Sequence, residues 1–131
     1  MKKYLKLGGK VIEGTGKSSI WMPSTFPNLF PGTLNILLES YRPDIQWHTV
    51  TFAKHNRWDE YQVKLGNCLI DNIPVYVVMP PGFKYVKRYN WLELAHTKKL
   101  RDLLNLKNDS EVIITFVQGM NKEFINQPIR Q

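Results

Sequence analysis

Short apolar and β-branched runs, cut at intervals by Gly, Pro, Asn and Asp, make up most of this chain, and that rhythm predicts many short strands. Residues 5–13 read as a first strand, with Val11 and Ile12 leading into Glu13-Gly14-Thr15-Gly16-Lys17. Residues 18–22 predict a second short strand closed by Pro23, followed by a loop that holds Pro23, Pro27 and Pro31. Leu34, Ile36, Leu37 and Leu38 predict an apolar strand, and residues 47–53 alternate loosely enough to predict another. Residues 61–69 and 73–79 predict a hairpin with Asp71-Asn72 as its turn signal. Pro80-Pro81-Gly82 then breaks the chain.

Residues 91–95 predict one more strand, after which Thr97 reads as the N-cap of a short helix bearing Leu100, Leu103 and Leu104. Lys107-Asn108-Asp109-Ser110 predicts a turn into a final strand over residues 112–117, and the polar tail after Gly119 is expected to be loose. With no internal repeat and no linker, residues 1–131 are expected to form a single domain. Many short strands with one C-terminal helix predict a mostly β fold, a compact β-barrel.

Composition changes this picture in three ways. A single cysteine, Cys68, excludes an internal disulfide and a cysteine-ligated zinc site, and its place in the hairpin predicts a buried structural thiol. Lys2, Lys3 and Lys6 have no apolar segment behind them, and no apolar run approaches the ~18 residues of a membrane span. A cytoplasmic protein without a membrane partner is expected. The net charge of +7 favours anionic partners, whether nucleic acid, phosphorylated small molecules or acidic membrane surfaces, without choosing among them.

Candidate chemistry centres on Pro31-Gly32-Thr33-Leu34-Asn35. Residues i and i+2 of a strand face the same way, so Thr33 and Asn35 should point together, and two short oxygen ligands suit a hard cation carrying phosphate. The alternative is a solvated strand start. Gly14-Thr15-Gly16-Lys17-Ser18 is not a Walker A loop: Val11 stands where that motif needs its first glycine, and Pro23 stops any following helix. A G-x-G turn can still offer backbone N–H groups to an anion.

Lys98 and Lys99 fall in the first turn of the expected helix, with Arg101 behind, where cations oppose the helix dipole. An anion docking there would account for them, as would a solvated cationic face. Glu93 shares a face with Trp91 and Ala95, either aimed into a pocket or on the outer side of an edge strand. His48, His55 and His96 have no metal-ligand spacing. Lys84, Lys87 and Arg88, interleaved with Phe83, Tyr85 and Tyr89, could stack on a base or aromatic ligand, or form a basic loop.

Taken together, the strand and G-x-G loop at residues 9–17, the Gly32-Thr33-Leu34-Asn35 run, Glu93 followed eight residues later by Arg101, and the closing segment from Leu100 to Val112 resemble the archaeal-type CTP-dependent riboflavin kinase family. The resemblance covers roughly residues 9–117. It implies a cradle-loop β-barrel that moves the γ-phosphate of CTP to the ribityl 5′-hydroxyl of riboflavin, giving FMN. By position it implies that Ile12, Glu13, Gly14, Thr15, Gly16 and Lys17 wrap the nucleotide phosphates, and that Lys98, Lys99, Leu100 and Arg101 line the CTP site. It further implies Mg²⁺ on Thr33 and Asn35, and Tyr85 and Glu93 on the acceptor side, in a monomer. The chain departs from the family at Tyr85-Val86-Lys87-Arg88-Tyr89-Asn90, where Thr-Tyr-His and small polar residues are usual, and at Asn108 and Ser110, where Asp and Gly are usual. A same-fold kinase with a different acceptor and a non-catalytic nucleic-acid-binding barrel are the alternative readings.

Overall fold

The computed structural model describes residues 3–14, 22, 26, 28–52, 61–79 and 90–118. Among them are seven strands and one short helix: β1 (Lys3–Ile12), β2 (Leu34–Leu38), β3 (His48–Phe52), β4 (Tyr61–Ile70), β5 (Ile73–Met79), β6 (Trp91–Ala95), α1 (Leu100–Leu103) and β7 (Glu111–Gln118). Every pairing is antiparallel. The sheet runs β3-β4-β5-β6-β2-β1-β7, and β7 returns to β4 through Leu69 opposite Thr115 and Ile70 opposite Ile114. β4 to β7 therefore close a six-stranded barrel, with β3 attached to the first half of β4. The mostly β barrel expected from the strand rhythm is the fold observed.

Closure depends on β4 changing partners along one edge, from β3 in its first half to β7 at its end. Between the two lies Gly66, where a Cβ would overlap the Ile45 side chain, so only glycine lets the 41–47 segment cross so closely. The Asp71-Asn72 turn has φ of 45° and 71°, the pair of left-handed residues that a tight hairpin needs. Its tip docks on β7: the Asp71 N–H donates to the Ile113 carbonyl and the Ile113 N–H to Asp71 Oδ1, each at 2.9 Å.

Alternation fills two apolar layers. The barrel interior takes Leu34, Ile36 and Leu38 from β2, Leu92 and Leu94 from β6, Val75 and Val77 from β5, and Val112, Ile114 and Phe116 from β7. The opposite face of β4 and β5, through Val63, Leu65, Tyr76 and Val78, packs under Met22, Phe26 and Leu29. Cys68 is fully buried inside the barrel, and that burial pushes its thiol pKa up, as suits a structural rather than a nucleophilic cysteine.

Two local expectations are corrected. Of the strand expected over 18–22 only Met22 is described, and its carbonyl accepts the Phe26 N–H four residues on at 2.7 Å, a helical contact. Met22 and Phe26 thereby cover one face of the sheet instead of extending it. Thr97 does not cap the helix. Lys98 N–H donates to His96 Nδ1 at 3.0 Å, which turns the chain first, so the helix starts at Leu100 with extended Lys99 as its N-cap. The burial of Leu100 in the barrel core sets that start. The tail after 118 lies outside the described residues. Among the described residues no helix is long and apolar enough to cross a membrane.

Ile36 is fully buried at the centre of β2, between β1 and β6. Ile36→Ala is expected to cost about 3 kcal/mol, read as a lower urea midpoint with an unchanged m-value. A loss below about 1 kcal/mol would contradict this packing.

Candidate functional site at the barrel mouth

The β2–β6 register sets Asn35 opposite Glu93 and Leu37 opposite Trp91, while β1 sets Ile12 opposite Asn35. Because Leu34, Ile36, Leu92 and Leu94 point inward, Asn35, Glu93 and Trp91 stand together on the outer face. Thr33, just ahead of β2, donates its hydroxyl proton to Glu93 Oε1 at 2.8 Å. The Trp91 indole N–H donates to Asn35 Oδ1 at 2.9 Å. An indole N–H can only donate, so the amide oxygen must face it, and the amide nitrogen is left toward the Thr33 carbonyl, 3.5 Å away. Asn35 is only 8% exposed, and a Cβ on Gly14 would overlap its carboxamide. Glycine at 14 is thus what lets the end of β1 close over Asn35.

Beside this group lies a cleft of about 80 Å³, whose lining includes Phe30, Thr33, His96, Lys98, Lys99 and Arg101. Leu100 also lines it while plugging the barrel end, and so fixes the cations around it. Arg101 Nη2 donates to Asn108 Oδ1 at 2.8 Å and, at a longer 3.4 Å, to the Ile12 carbonyl. Since α1 is a single turn starting at Leu100, Lys98 and Lys99 precede it. The opposition to a helix dipole expected from the sequence does not arise, because one turn carries too little aligned dipole. The three cations form instead a lip along the cleft. His96 is held in it twice over, its Nδ1 accepting from Lys98 N–H and its carbonyl from Phe30 N–H at 2.9 Å. Partial burial and the nearby Lys98 charge hold its pKa below the ordinary imidazole value.

The fold thus gathers Ile12, Gly14, Thr33, Asn35, Glu93, Lys98, Lys99, Leu100 and Arg101 at one end of the barrel. Glu13 follows β1 and is exposed. Thr15, Gly16, Lys17 and Tyr85 lie outside the described residues, as does the Phe83 to Tyr89 cluster. Glu93 is not on an edge strand, since β6 pairs with both β2 and β5. Trp91, Phe30, His96 and Asn108 join the site without having been singled out for it. Only Trp91 had a signal, its shared face with Glu93; the others are brought in by contacts distant in sequence. Among the described residues no three His, Cys, Asp or Glu are grouped to hold a metal ion. The oxygens at Thr33, Asn35 and Glu93 form a different donor set, with one carboxylate.

The family model for CTP-dependent riboflavin kinases, described as a domain of unknown function (DUF120), matches residues 11–116, most of the chain. The matched span includes every described residue of the site, and the resemblance seen in the sequence is borne out. A search of curated proteins finds no match.

His96 gives the site a pH signature. Its pKa is lowered from 6.5 only in the folded chain, so between that lowered value and 6.5 the unfolded chain binds more protons. The stability it contributes is therefore complete above pH 6.5 and is lost as pH falls through the folded value. Wild type should lose more stability than His96→Gln when urea midpoints are compared between about pH 8 and pH 5, and NMR should show the His96 imidazole titrating below 6.5. Titration at or above 6.5 would contradict the assignment.

Proposed function

We propose that this chain, which belongs to the CTP-dependent riboflavin kinase family, transfers the γ-phosphate of CTP to the 5′-hydroxyl of riboflavin to give FMN and CDP. The observation that carries the reading is that Thr33, hydrogen-bonded to Glu93, shares one cleft with Lys98, Lys99 and Arg101. Phosphoryl transfer asks a protein mainly to position two substrates and to neutralise charge. In this reading the cationic lip and the backbone from Ile12 through Gly14, continuing through Thr15, Gly16 and Lys17, hold the triphosphate. Glu93 and Tyr85 face the acceptor. The acceptor oxygen forms its bond to the γ-phosphorus as the bond to the β-phosphate oxygen breaks, and the hydroxyl proton is released.

The donor set fits Mg²⁺. Thr33 donates its hydroxyl hydrogen bond to Glu93, and Asn35 Oδ1 has a second lone pair beside the one Trp91 uses. Both are hard neutral oxygens, and Mg²⁺ commonly relies on few protein ligands and on substrate phosphates for the rest. When bound, the ion would neutralise phosphate charge. Thr33 and Asn35 would hold it, and Trp91 would keep the Asn35 oxygen turned outward.

Incubation with riboflavin, Mg²⁺ and either CTP or ATP, followed by chromatography, should give FMN with CTP. The Thr33→Ala/Asn35→Ala double variant should lose at least about 100-fold in rate while still folding, its melting temperature lowered by the lost bonds to Glu93 and Trp91. FMN formation by the double variant at the wild-type rate would sink the site assignment. Absence of FMN with CTP still raising the melting temperature would leave a nucleotide site and overturn riboflavin as the acceptor.

A further inference from the structure

We infer that Asn108 is a positioning residue for Arg101, and that its lack of charge keeps the cleft attractive to an oxyanion. The inference rests on the proposed reading of the cleft as a triphosphate site. A guanidinium has five N–H donors in a rigid fork. The two on Nη2 are committed, one to Asn108 Oδ1 at 2.8 Å and the other to the Ile12 carbonyl. Nε and Nη1 make no hydrogen bond to the described residues, and Arg101 lines the cleft. Three donors are thereby left for an anion, on a side chain whose far edge is fixed.

The fixing point is itself well held. The Asp109 N–H donates to the Val11 carbonyl at 2.8 Å and the Val11 N–H to the Ser110 carbonyl at 2.9 Å, so the turn carrying Asn108 is bonded to β1. Within it, Ser110 N–H donates to the Lys107 carbonyl and Lys107 N–H to the Ser110 hydroxyl, each at 3.0 Å. The Leu106 N–H donates to the Arg101 carbonyl at 2.8 Å, which ties the turn to α1 as well. Asn108 is therefore a rigid acceptor rather than a loose surface amide. Both acceptors that take Nη2 protons are uncharged, so the hydrogen bonds aim the guanidinium without neutralising it. A carboxylate at 108 would aim it equally well, while pairing its charge and lowering the field that Lys98, Lys99 and Arg101 present together.

Asn108→Asp separates aiming from charge. If Asn108 served only to hold the turn and not Arg101, Asn108→Ala would leave ligand affinity unmoved, whereas Asn108→Asp keeps an acceptor and changes only the charge. We expect Asn108→Asp to keep or raise the melting temperature and yet bind inorganic tripolyphosphate about three- to tenfold more weakly at low salt, with the gap narrowing as salt screens the pair. Asn108→Ala, which releases the fork, should weaken binding by a similar factor with less dependence on salt. Tripolyphosphate and CTP are titrated in parallel by calorimetry. Wild-type binding of tripolyphosphate without binding of CTP would overturn the proposed function and still test Asn108. Unchanged affinity in both variants, or no tripolyphosphate binding by wild type, would overturn the role of Asn108.

Discussion

The register of β2 against β6 is the constraint on which the site depends. Side chains alternate with a period of two, so the pairing that sends Leu34, Ile36, Leu92 and Leu94 into the barrel is also the pairing that sets Asn35 against Glu93 outside it. A slip of one residue would expose Ile36 and Leu92, each burial worth roughly 1.5–3 kcal/mol, and would force a carboxylate and a carboxamide into an apolar interior at several kcal/mol more. The polar group is thus aligned by the apolar pattern of the two strands. Thr33, Trp91 and Gly14 refine that alignment through hydrogen bonds and close contact.

The cationic lip is held by the same core, but by a different device. Lys98, Lys99 and Arg101 surround Leu100, and alone they would repel one another and spread apart. Leu100 is 4% exposed and belongs to the barrel cluster, so moving the lip means pulling an apolar plug out of the barrel end. Backbone bonds from Leu103 N–H to the Lys99 carbonyl and from Leu104 N–H to the Leu100 carbonyl, at 2.9 and 3.0 Å, lock the turn that carries it. One buried leucine therefore offsets the repulsion of three charges. That gives physical content to the net +7, part of which is concentrated where the barrel opens.

What was legible in the sequence follows the range of the interactions involved. The hairpin and its Asp71-Asn72 turn were legible because the turn residues must themselves adopt positive φ. β2 was legible because its apolar run is short and bounded, whereas Thr33 lies just ahead of it and is held by the contact of its hydroxyl with distant Glu93. The start of α1 was misplaced because propensity favours Thr97 as a cap, whereas the His96 side chain and the burial of Leu100, both tertiary effects, decide it. Met22 was read as strand from its neighbours, while its contact with Phe26 and its packing on the second apolar layer make it part of a cover. Asn108 was legible as a turn residue and as a departure from the family pattern, but its contact with Arg101, seven residues away, was not.

In the proposed reading the topology also puts the donor elements and the β5–β6 connection on separate parts of the chain. The longer of the departures from the family pattern lies in residues 85–90, in the connection between β5 and β6. The registers of those two strands are fixed independently of it, by Val75, Val77, Leu92 and Leu94 inside the barrel. The connection also returns to a fixed point, because the Asn90 carbonyl accepts the Leu38 N–H at 2.7 Å. In the proposed reading the triphosphate elements come from β1, the start of β2 and α1, none of which contains that segment. Substitutions there leave Thr33, Asn35 and the cationic lip under the control of the core. In the proposed reading, selection can therefore act on the β5–β6 connection without moving the donor elements.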